Sequence, residues 1–439
     1  MSAGLLYLAY RWPLYCGIGA LIFLIPLYLS AGRLRFKEGF LWGALFYSLH
    51  LIPIAQILYD RAVGEWRLTV YVLLVVYMAT QSGLWFFVAH RLDRYLCLRA
   101  VWPIITGAYF VWGQTRMFWF LGEPEGYPFS LPIIPLAAYA PSLRMMPLIG
   151  VYGITAILIM MQWLFAQYIR NKEGRYAAGG LVLLSVFCIG FFCKEDTPQL
   201  PDYLQQLVYV SLPQCAYEHN GHPIDCAQAI ASVVQEGVEQ FDKPVCFVLP
   251  ESAFPFVLHP YVRDLWQSIL DDNGSQLIVG IHKKDGFITK NSFVQLDFCR
   301  IIQTYEKKHG VIFTEITPFY LKGCYFLSHL FGGKTDRSLH NNYIRGTYTS
   351  LIRIYTYYFF PVLCSELFFN DFSSLPFKKV PILLLCNDKW FTSDHMKNLM
   401  FLYAKTYAIN WKRPLIYISH SKGALISQTG RAADLTTIA

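Results

Sequence analysis

The spacing of hydrophobic positions along this chain changes near residue 193. Before that point the apolar residues form long, nearly unbroken runs, and after it they form short groups of four to six. A helix needs about 20 apolar residues to cross roughly 30 Å of hydrocarbon. Six runs approach or reach that length, which predicts a polytopic α-helical membrane domain over residues 1–194. The runs fall near residues 13–31, 40–59, 69–90, 101–121, 147–169 and 177–193.

Basic residues between the runs predict the side of the membrane on which each loop lies, because cytoplasmic loops carry an excess of Lys and Arg. The loops after the first, third and fifth runs hold nine such residues, against four on the other side. We therefore expect the first set in the cytoplasm, and everything after Cys193 outside it. The nine are Arg33, Arg35, Lys37, Arg91, Arg94, Arg99, Arg170, Lys172 and Arg175.

A proline-rich segment, residues 127–141, lies between the fourth and fifth runs. Its four prolines forbid a continuous helix, yet the segment is too apolar for a free loop. Irregular backbone at membrane depth must be buried in protein or line a cavity. The sequence therefore predicts a broken, re-entrant segment at the outer face.

The second half, residues 195–439, alternates short apolar strands with amphipathic helical stretches. This alternation is typical of a layered α/β domain, and the length is sufficient for a full core. The predicted strands are 207–212, 245–249, 276–281, 292–296, 382–386, 415–419 and 424–427, and the predicted helices are 227–241, 261–271 and 395–411.

Composition supports a membrane protein and argues against a nucleic-acid partner. Charged residues make up only 15% of the chain, whereas soluble proteins carry about 25%. The net charge of +8 comes from short basic clusters between apolar runs, with no basic face interleaved with aromatics. The eleven cysteines are scattered without a CxxC pair, which indicates structural thiols for most of them.

Several common site patterns are absent from the sequence. Gly332-Gly333-Lys334-Thr335 resembles the end of a P-loop, but Ser328 stands where the motif needs glycine. The sequence has no GxSxG nucleophile elbow, no HExxH and no Cys/His ligand spacing. We expect no metal and no cofactor.

Three segments place reactive residues at the ends of apolar strands. They contain Glu251, the pair Lys307 and Lys308, and Cys364. Read alone, these are an exposed turn glutamate, a solvated charge run and a buried structural thiol. Together they supply a base, an ammonium group for an oxyanion, and a thiolate nucleophile. Glu, Lys and Cys in this order, each after a strand, resemble the nitrilase superfamily.

Within that superfamily the chain resembles apolipoprotein N-acyltransferase over nearly its whole length. The resemblance implies a nitrilase-like αββα sandwich as the extracytoplasmic domain. The motifs that carry it are Leu249-Pro-Glu-Ser-Ala253, Tyr305-Glu-Lys-Lys-His309 with Phe313-Thr-Glu315, Leu363-Cys-Ser-Glu366, Cys386-Asn-Asp-Lys-Trp-Phe391, Arg413-Pro-Leu415 with Gly423 and Gly430-Arg431, and, in the membrane half, Tyr139-Ala-Pro141 with Leu148–Gly153.

The resemblance implies roles for individual residues. Glu251 becomes the general base, Lys307 rather than Lys308 the oxyanion-stabilising group, and Cys364 the nucleophile. Glu315 becomes a supporting glutamate, and Ser365 and Glu366 follow the nucleophile, with Ser365 standing where the family usually has Tyr. The apolar stretch Tyr320–Phe331 is either a membrane-dipping arm that admits acyl chains or a core-packed loop. The arm's candidate residues are Phe326, Leu327, Leu330 and Phe331.

The implied reaction takes an acyl chain from a phospholipid, typically phosphatidylethanolamine, and passes it to the N-terminal diacylglyceryl-cysteine of an apolipoprotein. We expect a monomer in the bacterial inner membrane with a periplasmic catalytic domain. The family's C-terminal span has no counterpart after Arg431, as in shortened conjugal-transfer relatives of the TraB type. Two alternatives remain open, a membrane-bound amidase or hydrolase and a non-catalytic assembly protein.

Overall fold

The computed structural model describes residues 1–53, 67–113, 130–193, 206–212, 222–270, 274–285, 288–309, 351–368, 380–391 and 393–438. Contacts between residues divide the chain into two compact units. The first comprises Met1–Glu195 with Phe391–Trp411, and the second comprises Asp196–Trp390 with Lys412–Ala439. The sequence had assigned the helix at 395–411 to the second domain, whereas its contacts group it with the first unit.

The first unit is built from apolar helices. Short helical turns at Pro13–Cys16, Gly17–Leu21, Ile25–Leu29 and Ala31–Arg33 connect the first two longer helices, and a π-helical turn at Tyr109–Gly113 follows the fourth. The longer helices are α1 (Ser2–Arg11), α2 (Phe36–His50), α3 (Arg67–Leu96), α4 (Val101–Ala108), α5 (Met146–Asn171), α6 (Gly174–Phe192) and, from the later part of the chain, α9 (Asp394–Trp411).

Three helices in the described part of the chain are long and apolar enough to cross a membrane. They are Tyr71–Leu96, Met146–Asn171 and Gly174–Phe192. The first predicted run, 13–31, differs from the single helix expected, because two prolines and two glycines break it into short turns. Parts of the second and fourth runs lie outside the described residues.

Close packing of α2 against α3 depends on small residues. A Cβ atom at Gly39 would lie 2.5 Å from the carbonyl oxygen of Ser82, and one at Gly43 would lie 2.5 Å from its hydroxyl. In a membrane the hydrophobic effect does not drive helices together, so they associate through close packing. Small residues allow the two helix backbones to approach closely enough for it. These two glycines therefore set the α2–α3 separation.

The proline-rich segment is irregular and buried where it is described. Ile134–Leu143 forms a 3₁₀ segment that is interrupted at Tyr139 by a non-helical backbone conformation. Ile134, Leu136 and Ala137 are almost fully buried. The broken backbone expected from the prolines is present, and its re-entry into the membrane stays a prediction.

The second unit contains two six-stranded sheets. The first has the order β12-β1-β2-β3-β4-β5 and the second β11-β10-β9-β8-β7-β6. The first sheet is parallel from β12 through β1 and β2 to β3, and antiparallel from β3 through β4 to β5. The second sheet is parallel over β7-β8-β9, with antiparallel strands on both sides. The strands are β1 (Leu207–Val210), β2 (Cys246–Val248), β3 (Gln276–Asp285), β4 (Ile288–Leu296), β5 (Ile301–Glu306), β6 (Ile352–Ile354), β7 (Tyr357–Leu363), β8 (Ile382–Leu385), β9 (Leu415–Ile418), β10 (Gly423–Ile426), β11 (Ala432–Asp434) and β12 (Thr437–Ile438).

The core of this unit has two layers, because alternate side chains of a strand point to opposite faces. In β1, Leu207 and Tyr209 pack toward the second sheet. Val208 and Val210 pack instead toward the helices α7 (Pro223–Gln240) and α8 (Pro260–Leu270). The predicted class, an α-helical membrane part followed by an α/β sandwich, is confirmed.

Candidate active site

The ends of four strands supply the side chains of the candidate site. Glu251 follows β2, Lys307 follows β5, Cys364 follows β7 and Asn387 follows β8. Gly280 in β3 makes room for the first of these loops, since a Cβ there would lie only 2.4 Å from the backbone nitrogen of Ser252. The candidate residues therefore gather where strands of both sheets end.

Glu251 lies at the centre of a buried hydrogen-bond network. Its Oε1 accepts from the Lys307 ammonium at 2.7 Å and from the Asn291 amide at 2.7 Å. Its Oε2 accepts from the backbone N–H of Asn387 at 3.0 Å. Both charged residues are at least 95% buried. Because each of these three partners is a donor, the network favours the ionised carboxylate.

The position of Lys307 is fixed by its own backbone as well as by its side chain. Its N–H donates to the carbonyl of Asn291 at 2.8 Å, which extends the β4–β5 pairing by one residue. Asn291 therefore holds the lysine backbone with its carbonyl and Glu251 with its side chain. Lys308 is partly exposed, and burial lowers its pKa. The geometry places Lys307, not Lys308, against the carboxylate.

Cys364 stands at a strained turn between β7 and a short 3₁₀ helix, Cys364–Phe368. Its φ of 45° lies in the left-handed region, which costs a non-glycine residue about 1–3 kcal/mol. The side chain is partly exposed. A strained strand-to-helix turn that presents a nucleophile is a recurring device in acyl-transfer enzymes.

A second cysteine lies beside Cys364. β7 and β8 pair in parallel with Leu363 opposite Leu385, so Cys364 and Cys386 follow on neighbouring strands. Burial raises the pKa of the Cys386 thiol, and its hydrogen bond with Cys364 and the charge of Glu251 raise it further. These effects favour the neutral form of the Cys386 thiol.

Glu366 joins the lysine segment to the cysteine segment. Its carboxyl accepts from the Tyr305 hydroxyl at 2.9 Å and from the N–H groups of Lys308 at 2.5 Å and Leu363 at 2.8 Å. Burial raises the pKa of Glu366 to about 7, although these bonds and the charge of Lys307 act in the opposite direction. Its contacts fix two backbone segments against each other.

Of the remaining predicted site residues, the structure describes only Ser365. The Ser365 hydroxyl donates to the carbonyl of His309 at 2.8 Å, a second link between the cysteine and lysine segments. Glu315 lies outside the described residues, as does the whole predicted arm with Phe326, Leu327, Leu330 and Phe331.

Sequence reasoning did not single out Asn291, Asn387 or Cys386 as site residues. Cys386 and Asn387 belong to the segment 386–391 that resembles apolipoprotein N-acyltransferase, and that resemblance could have identified them. Asn291 lies inside β4 with no local motif around it. Only the register of β4 against β3 and β5 brings its amide to Glu251.

Several known proteins resemble this chain in sequence. No protein-family model matches the chain. An apolipoprotein N-acyltransferase of Caulobacter vibrioides is 24% identical over 380 residues, which cover 82% of this chain and 69% of that protein. This chain resembles apolipoprotein N-acyltransferases. Another from Aquifex aeolicus is 29% identical over 209 residues, 46% of this chain and 44% of the relative.

Among solved structures, a nitrilase-superfamily amidase from Nesterenkonia AN1 is similar with a TM-score of 0.36 and 11% identity. That similarity covers 52% of this chain and 85% of the amidase. The resemblance expected from the sequence motifs to apolipoprotein N-acyltransferase is confirmed by the curated relatives. The roles of individual residues stay predictions.

Proposed function

We propose that this protein is a membrane-bound N-acyltransferase that carries its acyl group as a thioester on Cys364. The observation that carries the proposal is the buried ion pair of Glu251 and Lys307. Glu251 also accepts from the N–H of Asn387, which directly follows Cys386, the neighbour of Cys364 on the next strand. The similarity to apolipoprotein N-acyltransferases supports the same reaction class.

In the first step Glu251 takes the thiol proton, and the sulfur of Cys364 attacks the carbonyl carbon of a phospholipid acyl ester. The Lys307 ammonium stabilises the negative oxygen of the tetrahedral intermediate. The ester C–O bond then breaks, and the lysophospholipid leaves as an alcohol with the proton from Glu251. The acyl group stays on sulfur as a thioester.

In the second step an amine attacks the thioester carbonyl, and the same lysine stabilises the second oxyanion. The C–S bond breaks, the amine's proton passes through Glu251 to the sulfur, and an amide is released. We propose phosphatidylethanolamine as donor and the N-terminal diacylglyceryl-cysteine of an apolipoprotein as acceptor. We place the protein in the bacterial inner membrane with its second unit in the periplasm.

Purified protein incubated with acyl-labelled phosphatidylethanolamine tests the first step. We expect a labelled protein adduct that hydroxylamine removes, since thioesters are sensitive to it. The Cys364→Ala variant should lose the adduct, whereas Cys299→Ala, a change at an exposed cysteine, should keep it. Equal labelling of both variants would refute Cys364 as the acyl carrier.

A diacylated lipopeptide added to the labelled enzyme tests the second step. We expect the label to move to the peptide amine as an amide. Release of the label as free fatty acid at the same rate with and without peptide would instead indicate a hydrolase.

A further inference from the structure

A cavity of about 290 Å³ lies in the first unit, and none of the residues that line it belongs to the candidate active site. Three stretches of chain form its walls. They are the turn at Ala31 and Gly32, the connection from the end of α3 to the start of α4, and the last turns of α5. Each stretch lies in, or at the end of a run next to, a loop that the basic-residue pattern assigns to the cytoplasmic side.

The walls of this cavity are strongly basic. Arg94, Arg99 and Arg170 line it, together with one acidic residue, Asp93, so the formal charge is three minus one, or +2. Asp93 accepts a hydrogen bond from the indole N–H of Trp102 at 3.1 Å. Within the described ranges, none of the three guanidinium groups has an ion-pair or hydrogen-bond partner. Three guanidinium groups therefore remain available to an anion.

Neutral donors complete the lining. Gln167 is 95% buried, and its amide has no hydrogen-bond partner among the described residues. The indole N–H of Trp163 is likewise buried without a partner in that part of the chain. Buried polar groups are normally paired, and a ligand that accepts hydrogen bonds is one way to pair them. Guanidinium groups with added neutral donors suit the oxygens of a phosphate group.

The surroundings of the cavity indicate a lipid rather than a soluble anion. Two of its three walls are the ends of helices long and apolar enough to span a membrane. Leu96 and Leu98, next to the arginines in the chain, are exposed large apolar residues. A lipid whose phosphate is held at such a place has its acyl chains beside apolar surface. Basic pockets between membrane helices are known to recognise anionic headgroups.

We propose that this cavity binds the phosphate headgroup of an anionic membrane lipid. The lipid is held by Arg94, Arg99 and Arg170, with Gln167 as a neutral donor. The proposal is independent of the acyl-transfer chemistry, because the two sets of residues share no member. A free phosphate offers the same oxygens, so the experiment must separate the two sources.

The test measures binding of phosphatidylglycerol to the full-length protein in a neutral detergent by native mass spectrometry. The variant Arg94→Gln/Arg99→Gln/Arg170→Gln should bind more weakly by about fivefold for each arginine removed. The control Arg33→Gln/Arg91→Gln/Arg175→Gln removes equal charge from the same predicted side but changes no residue that lines the cavity. It should bind as the unmodified protein does.

Two further arms make each outcome decisive. Inorganic phosphate and glycerol phosphate, each at the lipid's concentration, should not bind; binding as tight as that of the lipid would overturn the lipid source. Equal loss in both triple variants would overturn the cavity and indicate general charge attraction. If the cavity variant does not fold, Arg170→Gln is compared with Arg175→Gln, and equal binding of those two also overturns the proposal.

Discussion

Glu251 accepts hydrogen bonds from a lysine, an amide side chain and a backbone N–H while it is almost completely buried. Removing two opposite charges from water costs several kcal/mol per ion, which the pairing must offset. A pair buried at this cost between strand ends has a clear explanation if it acts on protons and oxyanions. Glu251 and Lys307 together therefore support a catalytic site at these strand ends.

Glu251→Gln should lower the rate of thioester formation by about 10²–10⁴-fold, because the proton acceptor is lost. It should also destabilise the protein by about 3–5 kcal/mol, because the Lys307 charge stays buried without a counterion. The Glu251→Gln/Lys307→Met double variant should recover much of that stability but no activity. Thermal unfolding in detergent and the labelled-lipid assay measure the two effects; additive losses of stability would contradict the coupling.

Glu366 predicts a dependence of stability on pH. Its folded-state pKa of about 7 lies above the ordinary value of 4.5. The folded protein therefore binds more protons than the unfolded chain between these values, and this contribution to stability is lost as pH rises through about 7. We expect the free energy of unfolding to fall over pH 4.5–7 more steeply in the unmodified protein than in Glu366→Gln.

Glu306 provides a control with the opposite sign. Burial tends to raise the pKa of its carboxyl, but bonds from Lys283 and Lys290 lower it overall. Its stabilising contribution is present above the unfolded pKa and lost as pH falls, so Glu306→Gln should alter only the acidic end of the curve. Identical pH profiles for Glu366→Gln and the unmodified protein would contradict the assignment for Glu366.

At the scale of elements, the strands explain why residues far apart in sequence share one site. The sequence predicted β1, β2, β8 and β9 closely, because short apolar groups bounded by polar residues leave few other interpretations. It predicted reactive residues at the ends of β2, β5 and β7, because Glu251, Lys307 and Cys364 follow these strands. Asn291 was not predicted, since its role depends on strand register, which a single sequence does not specify.

The pairing of β7 with β8 predicts that Cys364 and Cys386 form a disulfide under mild oxidation. Neighbouring strands lie about 4.8 Å apart, within the range of Cα separations that a disulfide spans. The oxidant diamide accepts the two electrons and two protons that the thiols release. We expect the acyl adduct to disappear after diamide treatment and to return with dithiothreitol.

Peptide mapping of the oxidised protein checks the bond directly. The Cys386→Ser variant should keep its acyl-adduct formation after diamide, because Cys364 then has no adjacent thiol. Cys246→Ser, a change at another buried free cysteine, should remain as sensitive as the unmodified protein. Loss of the adduct to the same extent in all three proteins would contradict pairing between these two strand ends.

At the scale of the whole molecule, the length of the apolar runs alone predicts the division into an apolar half and a layered α/β half. Membrane helices need about 20 apolar residues in a row, whereas sandwich strands need only about four to eight. The number of spans is less predictable. Run 13–31 has the composition of a span, but its prolines and glycines divide it into turns within the first unit. Mean hydropathy over a window does not detect such breaks, whereas the positions of Pro and Gly do.

The proposed orientation makes a prediction about two exposed native cysteines. Cys97 follows α3 in a loop expected in the cytoplasm, and Cys299 lies between β4 and β5 in the unit proposed for the periplasm. A membrane-impermeant maleimide, added to cells whose outer membrane has been permeabilised, should react with Cys299 and leave Cys97 untouched until the cells are lysed. The positive-inside bias of the loops is the physical reason.

Serine variants identify which thiol reacts. Cys299→Ser should remove labelling at that position in permeabilised cells that have not been lysed. Cys97→Ser should reduce labelling only after lysis. Both thiols are exposed, so a difference between them reports the membrane barrier rather than burial within the protein. Reaction of Cys97 in intact cells, with Cys299 protected, would reverse the orientation and place the candidate site away from periplasmic acceptors.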